Sequence, residues 1–192
     1  MTANKEDNIR TDESYSTYSI PIELINKFVS DSCQFNKIQI LQKALNYHSN
    51  QNLIKAEEYY RLFIELGYED HRVFSNYGVI CKNSDRKKQA INLFKRSIDI
   101  YPEKPEAYVN MSIILCEENR FNEAIRLLHR AISIRKNYTL ALSTLGMALR
   151  NVGEHKESID ILLLAISLSP EYIKLYINLG YTYQALNQHI DS

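Results

Sequence analysis

The sequence of 192 residues has no charge surplus, no long apolar run and only three cysteines. Lys plus Arg equals Asp plus Glu at 23 each, whereas a nucleic-acid-binding surface usually carries a basic surplus. The polar N-terminus lacks the apolar centre of a signal peptide, and no run approaches the roughly 18 apolar residues that a membrane helix needs. We therefore expect a soluble, cytoplasmic protein with neither nucleic acid nor a membrane as a partner.

Cysteine, histidine and glycine are too scattered to form the common catalytic or metal-binding motifs. Cys33, Cys81 and Cys116 have no close pairing, which argues against a disulfide framework or a zinc knuckle and fits a reducing compartment. The histidines form no H-E-x-x-H pair, and there is no glycine-rich phosphate loop. The sequence predicts no enzyme activity, no catalytic residues, no metal and no cofactor.

What the sequence does contain is a repeat. The stretch 73–102, VFSNYGVICKNSDRKKQAINLFKRSIDIYP, recurs after one and after two shifts of 34 residues. A period of this length indicates stacked supersecondary units, each a pair of helices joined by a short turn. The apolar spacing, together with the Gly and Pro residues between segments, predicts helices at 37–49, 53–66, 71–84, 87–100, 105–118, 121–134, 139–151, 155–168 and 173–186.

A small residue recurs in the first helix of each predicted pair. Phe74, Tyr77, Gly78 and Cys81 fall on one helix face, and the position of Gly78 is small in every unit. The series is Gly78, Ser112, Gly146 and Gly180. A small side chain there lets the second helix of the pair approach closely, while a large residue fills the adjoining space.

These residues carry a resemblance to a known family. The residues that match its signature are Tyr176, Leu179, Gly180 and Tyr183 in the first half, Ala124, Leu128 and Ala131 in the second half, and Pro102 and Pro170 at the close. The pattern resembles the tetratricopeptide repeat (TPR). The resemblance implies an all-α fold, an α-solenoid of stacked antiparallel helix pairs (a TPR superhelix) with about four and a half repeats. The chain is also similar to N-terminal TPR arrays of bacterial, cyanobacterial-type proteins that can precede transferase domains.

The predicted domain organisation follows from composition and from the 34-residue period. We expect a disordered polar tail at 1–20, a short N-terminal capping segment at 21–36 and a TPR array at 37–192. The array divides into repeats at 37–70, 71–104, 105–138 and 139–172, with a partial repeat at 173–192. Because the last register stops where its second helix should begin, we expect a truncated or split chain.

Two stripes on the inner face of the first helices are the candidate binding site. One is an Asn ladder interrupted by a threonine, and the other is apolar. The candidate groove residues are Asn76, Val79, Asn110, Ile113, Thr144, Met147, Asn178 and Tyr181. Amide side chains offer donors and an acceptor to a peptide backbone, and the apolar stripe offers contacts to alternate side chains. The alternatives left open are that the asparagines only support local helix geometry and that the apolar residues pack against the next unit.

The groove residues favour a protein–protein interaction scaffold that binds an extended peptide segment. The alternative is a substrate-recruiting TPR arm of a glycosyl-, sulfo- or methyltransferase whose catalytic domain is downstream or on another chain. Self-association through the predicted helix 173–186 is a third prediction. The basic residues of the carboxylate clamp, a rival use of this fold, are absent from the corresponding positions.

Overall fold

The computed structural model describes the backbone of residues 36–190 and the side chains up to residue 187. The predicted tail at 1–20 and all but the last residue of the predicted capping segment lie outside the described residues. The array begins as a compact unit at Lys37. The described residues form nine helices, which are α1 (Lys37–Ser49), α2 (Leu53–Glu65), α3 (His71–Asn83), α4 (Lys87–Ile100), α5 (Pro105–Glu117), α6 (Phe121–Ile134), α7 (Thr139–Asn151), α8 (His155–Leu168) and α9 (Ile173–Ile190).

The predicted helices are confirmed, with small differences at their ends. Three of them end one residue earlier than predicted, and α9 continues to Ile190, so the predicted end at 186 is wrong. The early ends have a local cause, because the capping residues Leu66, Ser84 and Glu118 turn their N–H groups back onto carbonyls of the last turn. Among the described residues no helix has both the length and the apolar character needed to cross a membrane.

The turn inside each helix pair has the same backbone conformation. One residue per turn is left-handed, and these residues recur every 34 positions: Gln51 (φ 57°), Asp85 (φ 58°), Asn119 (φ 59°) and Gly153 (φ 87°). The next N–H then reaches back to the helix, as when Arg86 N–H donates to the Cys81 carbonyl at 2.9 Å. This closure satisfies the last carbonyls of the first helix and sends the chain back antiparallel.

Large side chains of the second helices fill the spaces beside the small residues of the first helices. The large residues are Tyr60, Phe94, Leu128 and Leu162, and all four are completely buried. Phe94 lies against Gly78, and Leu162 lies against Gly146. The predicted large-against-small packing is therefore confirmed in these two pairs.

The helix pairs stack in one row. Each second helix contacts its own partner and the first helix of the next pair, and α3, α5, α7 and α9 also contact one another in sequence. The second helices of neighbouring pairs make no comparable contact within residues 36–190. The row therefore curves with the first helices on its inner side, as expected of an α-solenoid. We call the side formed by α1, α3, α5, α7 and α9 the inner surface.

Ion pairs link successive repeats at matching positions. Arg96 pairs with Glu69, and Arg130 pairs with Glu103 at 2.8 Å, each partner lying 34 residues beyond its counterpart. Arg86 donates to both carboxylate oxygens of Glu57 at 2.6 and 2.7 Å. The Arg86 side chain is half-buried in this ion pair.

The last helix is covered on one side by the preceding helix pair. Leu175 is completely buried and packs with Leu142, Leu162 and Ala165. The preceding pair, α7 and α8, supplies this cover. The opposite side of α9 remains open, since Tyr176 and Tyr183 are 48% and 44% exposed.

Candidate interaction surface

The Asn ladder lies where each first helix meets the one before it. Asn110 illustrates the geometry, because its Oδ1 accepts from Lys82 Nζ at 2.8 Å and its Nδ2 donates to the Glu106 carbonyl at 3.0 Å. Lys82 is on α3 and Asn110 is on α5, so one amide joins the two helices. Its hydrogen bonds are made inside the chain, in agreement with the alternative that the ladder supports local geometry.

The other ladder residues also have partners in the protein. Asn76 Nδ2 donates to Tyr60 Oη at 3.2 Å, and Tyr60 Oη lies 3.0 Å from His48 Nδ1. Thr144 is buried and donates to the Leu140 carbonyl of its own helix at 2.8 Å. The structure thus connects α1 to α3 through a tyrosine, whereas Thr144 makes only a local contact.

Asn178, the last member of the ladder, is bound differently from Asn110. Its Nδ2 lies 3.4 Å from the Ser143 carbonyl and 3.3 Å from Ser143 Oγ, and the side chain is 7% exposed. The amide therefore points toward the middle of α7. Arg150, near the end of α7, therefore makes no hydrogen bond to this amide.

The predicted apolar stripe is partly covered along most of its length. Val79, Ile113 and Met147 are half-buried, and the last two pack against the core formed around Leu145. Tyr181 is 56% exposed and is the most accessible of the eight predicted residues. Its ring lies 5.4 Å from the Arg150 guanidinium, in cation–π contact.

Sequence reasoning missed the twelfth residue of each first helix. They form the twelfth-residue series His48, Lys82, Cys116, Arg150 and Gln184. Lys82 and Arg150 contact the following first helix, through Asn110 and Tyr181 respectively. The 34-residue period identifies the series as clearly as it identifies the ladder. Its residue types differ from repeat to repeat, whereas asparagine recurs along the ladder.

The lysine and the arginine of this series are partly buried. Burial lowers the pKa of Lys82, and the nearby Glu117 carboxylate partly opposes that shift. Burial also lowers the pKa of Arg150, and the phenol group of the nearby Tyr181 partly opposes that shift. Arg150 Nη1 is buried and has no hydrogen-bond partner among the described residues.

The buried thiols have no sign of chemical activation. Cys81 and Cys116 are free and buried, and burial raises the pKa of each thiol to about 11. In the part of the chain that the structure describes, no group of three or more His, Cys, Asp or Glu side chains is placed to hold a metal ion.

Comparison with known proteins identifies the repeat. Models of the tetratricopeptide repeat match residues 86–143 and residues 141–172. Among curated proteins, the uncharacterized protein YgeG of Escherichia coli (strain K12) is 28% identical over 64 residues, which are 33% of this chain and 39% of YgeG. The matched part thus spans well under half of that relative's length.

Solved structures share the fold at low sequence identity. The crystal structure of MamA superposes with a TM-score of 0.70 at 20% identity and covers 79% of this chain and 82% of MamA. The structure of YrrB, described as a TPR protein with an unusual peptide-binding site, superposes with a TM-score of 0.71 at 20% identity and covers 84% of this chain and 83% of YrrB. The family models thus show tetratricopeptide repeats over residues 86–172, and the solved structures show the same fold of stacked helix pairs.

Proposed function

We propose that the chain is a protein–protein interaction scaffold whose inner surface binds an extended peptide segment in the cytoplasm. The observation that carries the proposal is the half-exposed Tyr181 ring at the end of the apolar stripe, next to the partly buried Arg150 guanidinium. An exposed aromatic ring beside an apolar strip and a few polar groups is typical of peptide-binding surfaces. YrrB, which has the same fold, is described as having a peptide-binding site.

Photo-crosslinking tests this proposal at a single position. Tyr181 is replaced by benzoylphenylalanine in the full chain, and the protein is irradiated in native lysate. A matched control places the same group at Tyr101, which is 43% exposed at the end of α4, a second helix. We expect crosslinks from position 181 that a synthetic peptide from the captured partner suppresses. Identical crosslinked species from both positions would contradict binding on the inner surface.

A second candidate, self-association through α9, is supported by the open side of that helix. A methyl group built on Gly180 meets no atom within 4 Å, whereas Phe94 and Leu162 fill the matching spaces at Gly78 and Gly146. Tyr176 and Tyr183 lie on either side of this opening along the helix. A second copy of the chain would cover the opening by placing a large apolar side chain against Gly180.

Light scattering over a concentration series tests self-association. We expect a concentration-dependent rise in mass that a Tyr176→Asp variant abolishes. A constant monomer mass up to high concentration contradicts it. The alternative of a transferase arm gains no support from the described residues, and a search of the reading frame downstream of Ser192 for a catalytic domain tests that prediction.

A further inference from the structure

Arg150 differs from Lys82 because it makes no hydrogen bond to the ladder residue on the next first helix. At the step from α3 to α5, Lys82 donates to the ladder residue Asn110 at 2.8 Å. Arg150 and Asn178 occupy the equivalent positions at the step from α7 to α9, each displaced by 68 residues. The Asn178 amide donates to Ser143 instead, and its oxygen accepts no hydrogen bond from Arg150.

This difference leaves one buried atom of Arg150, a side chain that is otherwise partly exposed, without an acceptor among the described residues. Arg150 Nη1 is buried and lacks a hydrogen-bond partner in the described part of the chain. Six other arginines of the described residues are paired with carboxylates, and these are Arg72, Arg86, Arg96, Arg120, Arg130 and Arg135. A buried donor without an acceptor is costly, and more so when it is charged. An anion from outside would remove that cost.

The surroundings of Arg150 favour a negatively charged ligand. Neither α7 nor α9, the helices on either side of its guanidinium, contains an Asp or a Glu. The Tyr181 ring holds the guanidinium from one side at 5.4 Å and adds no negative charge that would repel an anion. The Nη1 edge, with its fixed fork of donors, matches the geometry of a carboxylate.

A second base lies on the same line of the inner surface. Lys82 is in the same series as Arg150, two repeats earlier, and its Nζ donates to the neutral amide oxygen of Asn110. The nearby Glu117 carboxylate is ion-paired with Lys87 at 2.9 Å. With neighbouring helix axes roughly 8–10 Å apart, the two bases are separated by about 20 Å. An extended peptide crosses that distance in about six residues.

We propose that the inner surface binds an acidic peptide, with the side-chain carboxylate of an Asp or Glu on Arg150 and a second acidic residue about six positions away near Lys82. The inference rests on the proposed function, because it names the chemistry of the peptide bound there. Two bases on one line favour acidic side chains over a C-terminal carboxylate, since a peptide has one C-terminus. The bases lie at the twelfth residues of their helices, outside the positions of the carboxylate clamp.

Peptide display separates this inference from the proposed function. A library of random dodecapeptides, fused so that no free C-terminus is present, is selected on the full chain, on Arg150→Gln and on Arg126→Gln. Arg126 is exposed on α6 and serves as the matched control. We expect peptides with paired acidic residues to be enriched on the wild type and on Arg126→Gln, and that enrichment to be lost on Arg150→Gln. Enrichment of peptides without acids, or equal acid enrichment on all three proteins, overturns the carboxylate site and leaves peptide binding intact. If no peptide is enriched on any of them, the proposed function fails, and the carboxylate site fails with it.

Solution binding then measures the contact itself. A selected peptide is synthesised with an amidated C-terminus, and its affinity is followed by fluorescence anisotropy. We expect Glu→Gln in the peptide, or Arg150→Gln in the protein, to weaken binding by on the order of 10- to 100-fold, with little further loss when both are changed. Arg150→Lys should keep part of the affinity. Binding only by the free-acid peptide, or additive losses in the double change, would overturn a side-chain carboxylate on Arg150. Circular dichroism melting of each variant shows whether it is folded.

Discussion

A methyl group on Gly146 would lie 2.6 Å from Leu162 Cγ and 2.8 Å from Leu162 Cδ2. Leu162 is completely buried at the centre of the last complete helix pair and is surrounded by packed side chains. The contact is closer than carbon atoms tolerate, so either the leucine or the helix must move. The pair α7 and α8 therefore depends on glycine at this position.

We expect Gly146→Ala to lower the free energy of unfolding by about 1–3 kcal/mol, because the added methyl overpacks the contact with Leu162. Urea denaturation followed by circular dichroism measures the change. Gly180→Ala is the matched control, since it has the same position in α9 and no atom within 4 Å of its added methyl. That variant should be neutral, or more stable by roughly 0.5–1 kcal/mol, because alanine favours the helix interior. Equal destabilisation of both variants would contradict the packing argument.

Two substitutions at the left-handed turn residues should change the stability of the array in opposite directions. We expect Gln51→Gly to stabilise the array by about 1 kcal/mol, because Gln51 has φ 57° and a side chain with Cβ is disfavoured there. Gly153→Ala should destabilise it by a similar amount, since Gly153 has φ 87° in the equivalent turn. Thermal melting of the two variants checks the prediction. A lower melting temperature for Gln51→Gly would show that the side chain of Gln51 contributes more than its backbone costs.

The lowered pKa of Asp70 predicts that the protein loses stability in acid. Burial favours its neutral form, but hydrogen bonds from Arg72 outweigh this, so the pKa of Asp70 lies below its ordinary value of 3.8. Its carboxylate also accepts from Arg72 N–H at 2.9 Å and caps α3. A lowered folded-state pKa means that the stabilisation is fully present above the ordinary pKa and is lost as pH falls through the folded-state pKa.

We therefore expect Asp70→Asn to be less stable than the wild type at pH 6 and to approach it as the pH falls below 3.8. Asp70→Ala should cost about 1 kcal/mol at pH 6, because it also removes the capping acceptor. Urea denaturation at a series of pH values measures both differences. The exposed Asp99 supplies the control variant Asp99→Asn. A constant gap between the wild type and Asp70→Asn at all pH values contradicts the assignment.

The buried cysteines predict slow alkylation in the folded state. With a pKa of about 11, against an ordinary value of 9.0, each of Cys81 and Cys116 has about a hundredfold less thiolate at pH 8 than an ordinary thiol. Burial further limits access of the reagent. We expect iodoacetamide, with peptide mapping by mass spectrometry, to label both residues in urea and to leave them largely unlabelled in native buffer. Rapid native labelling of either residue would show that its helix pair opens locally.

The repeat architecture could be predicted from residues that recur every 34 positions. The small positions exemplified by Gly146 and the large positions exemplified by Leu162 encode the helix pairs, since packing within a pair involves residues close in sequence. The hydrogen bonds of the candidate site could not be predicted from the period in the same way. The period placed Asn110 and Asn178 at equivalent positions, but their neighbours differ and so do their hydrogen bonds.

The sequence by itself determined the all-α repeat, its helix limits to within a few residues and the small-against-large packing, because each of these depends on local spacing that the 34-residue period repeats. Only the tertiary structure decided which polar side chains are already bonded. Lys82 reaches an amide 28 residues away, whereas Asn178 turns to a serine 35 residues away and leaves Arg150 Nη1 without an acceptor in the described residues. Such hydrogen bonds join residues about 30 positions apart, and no local pattern of residue types records which of them form.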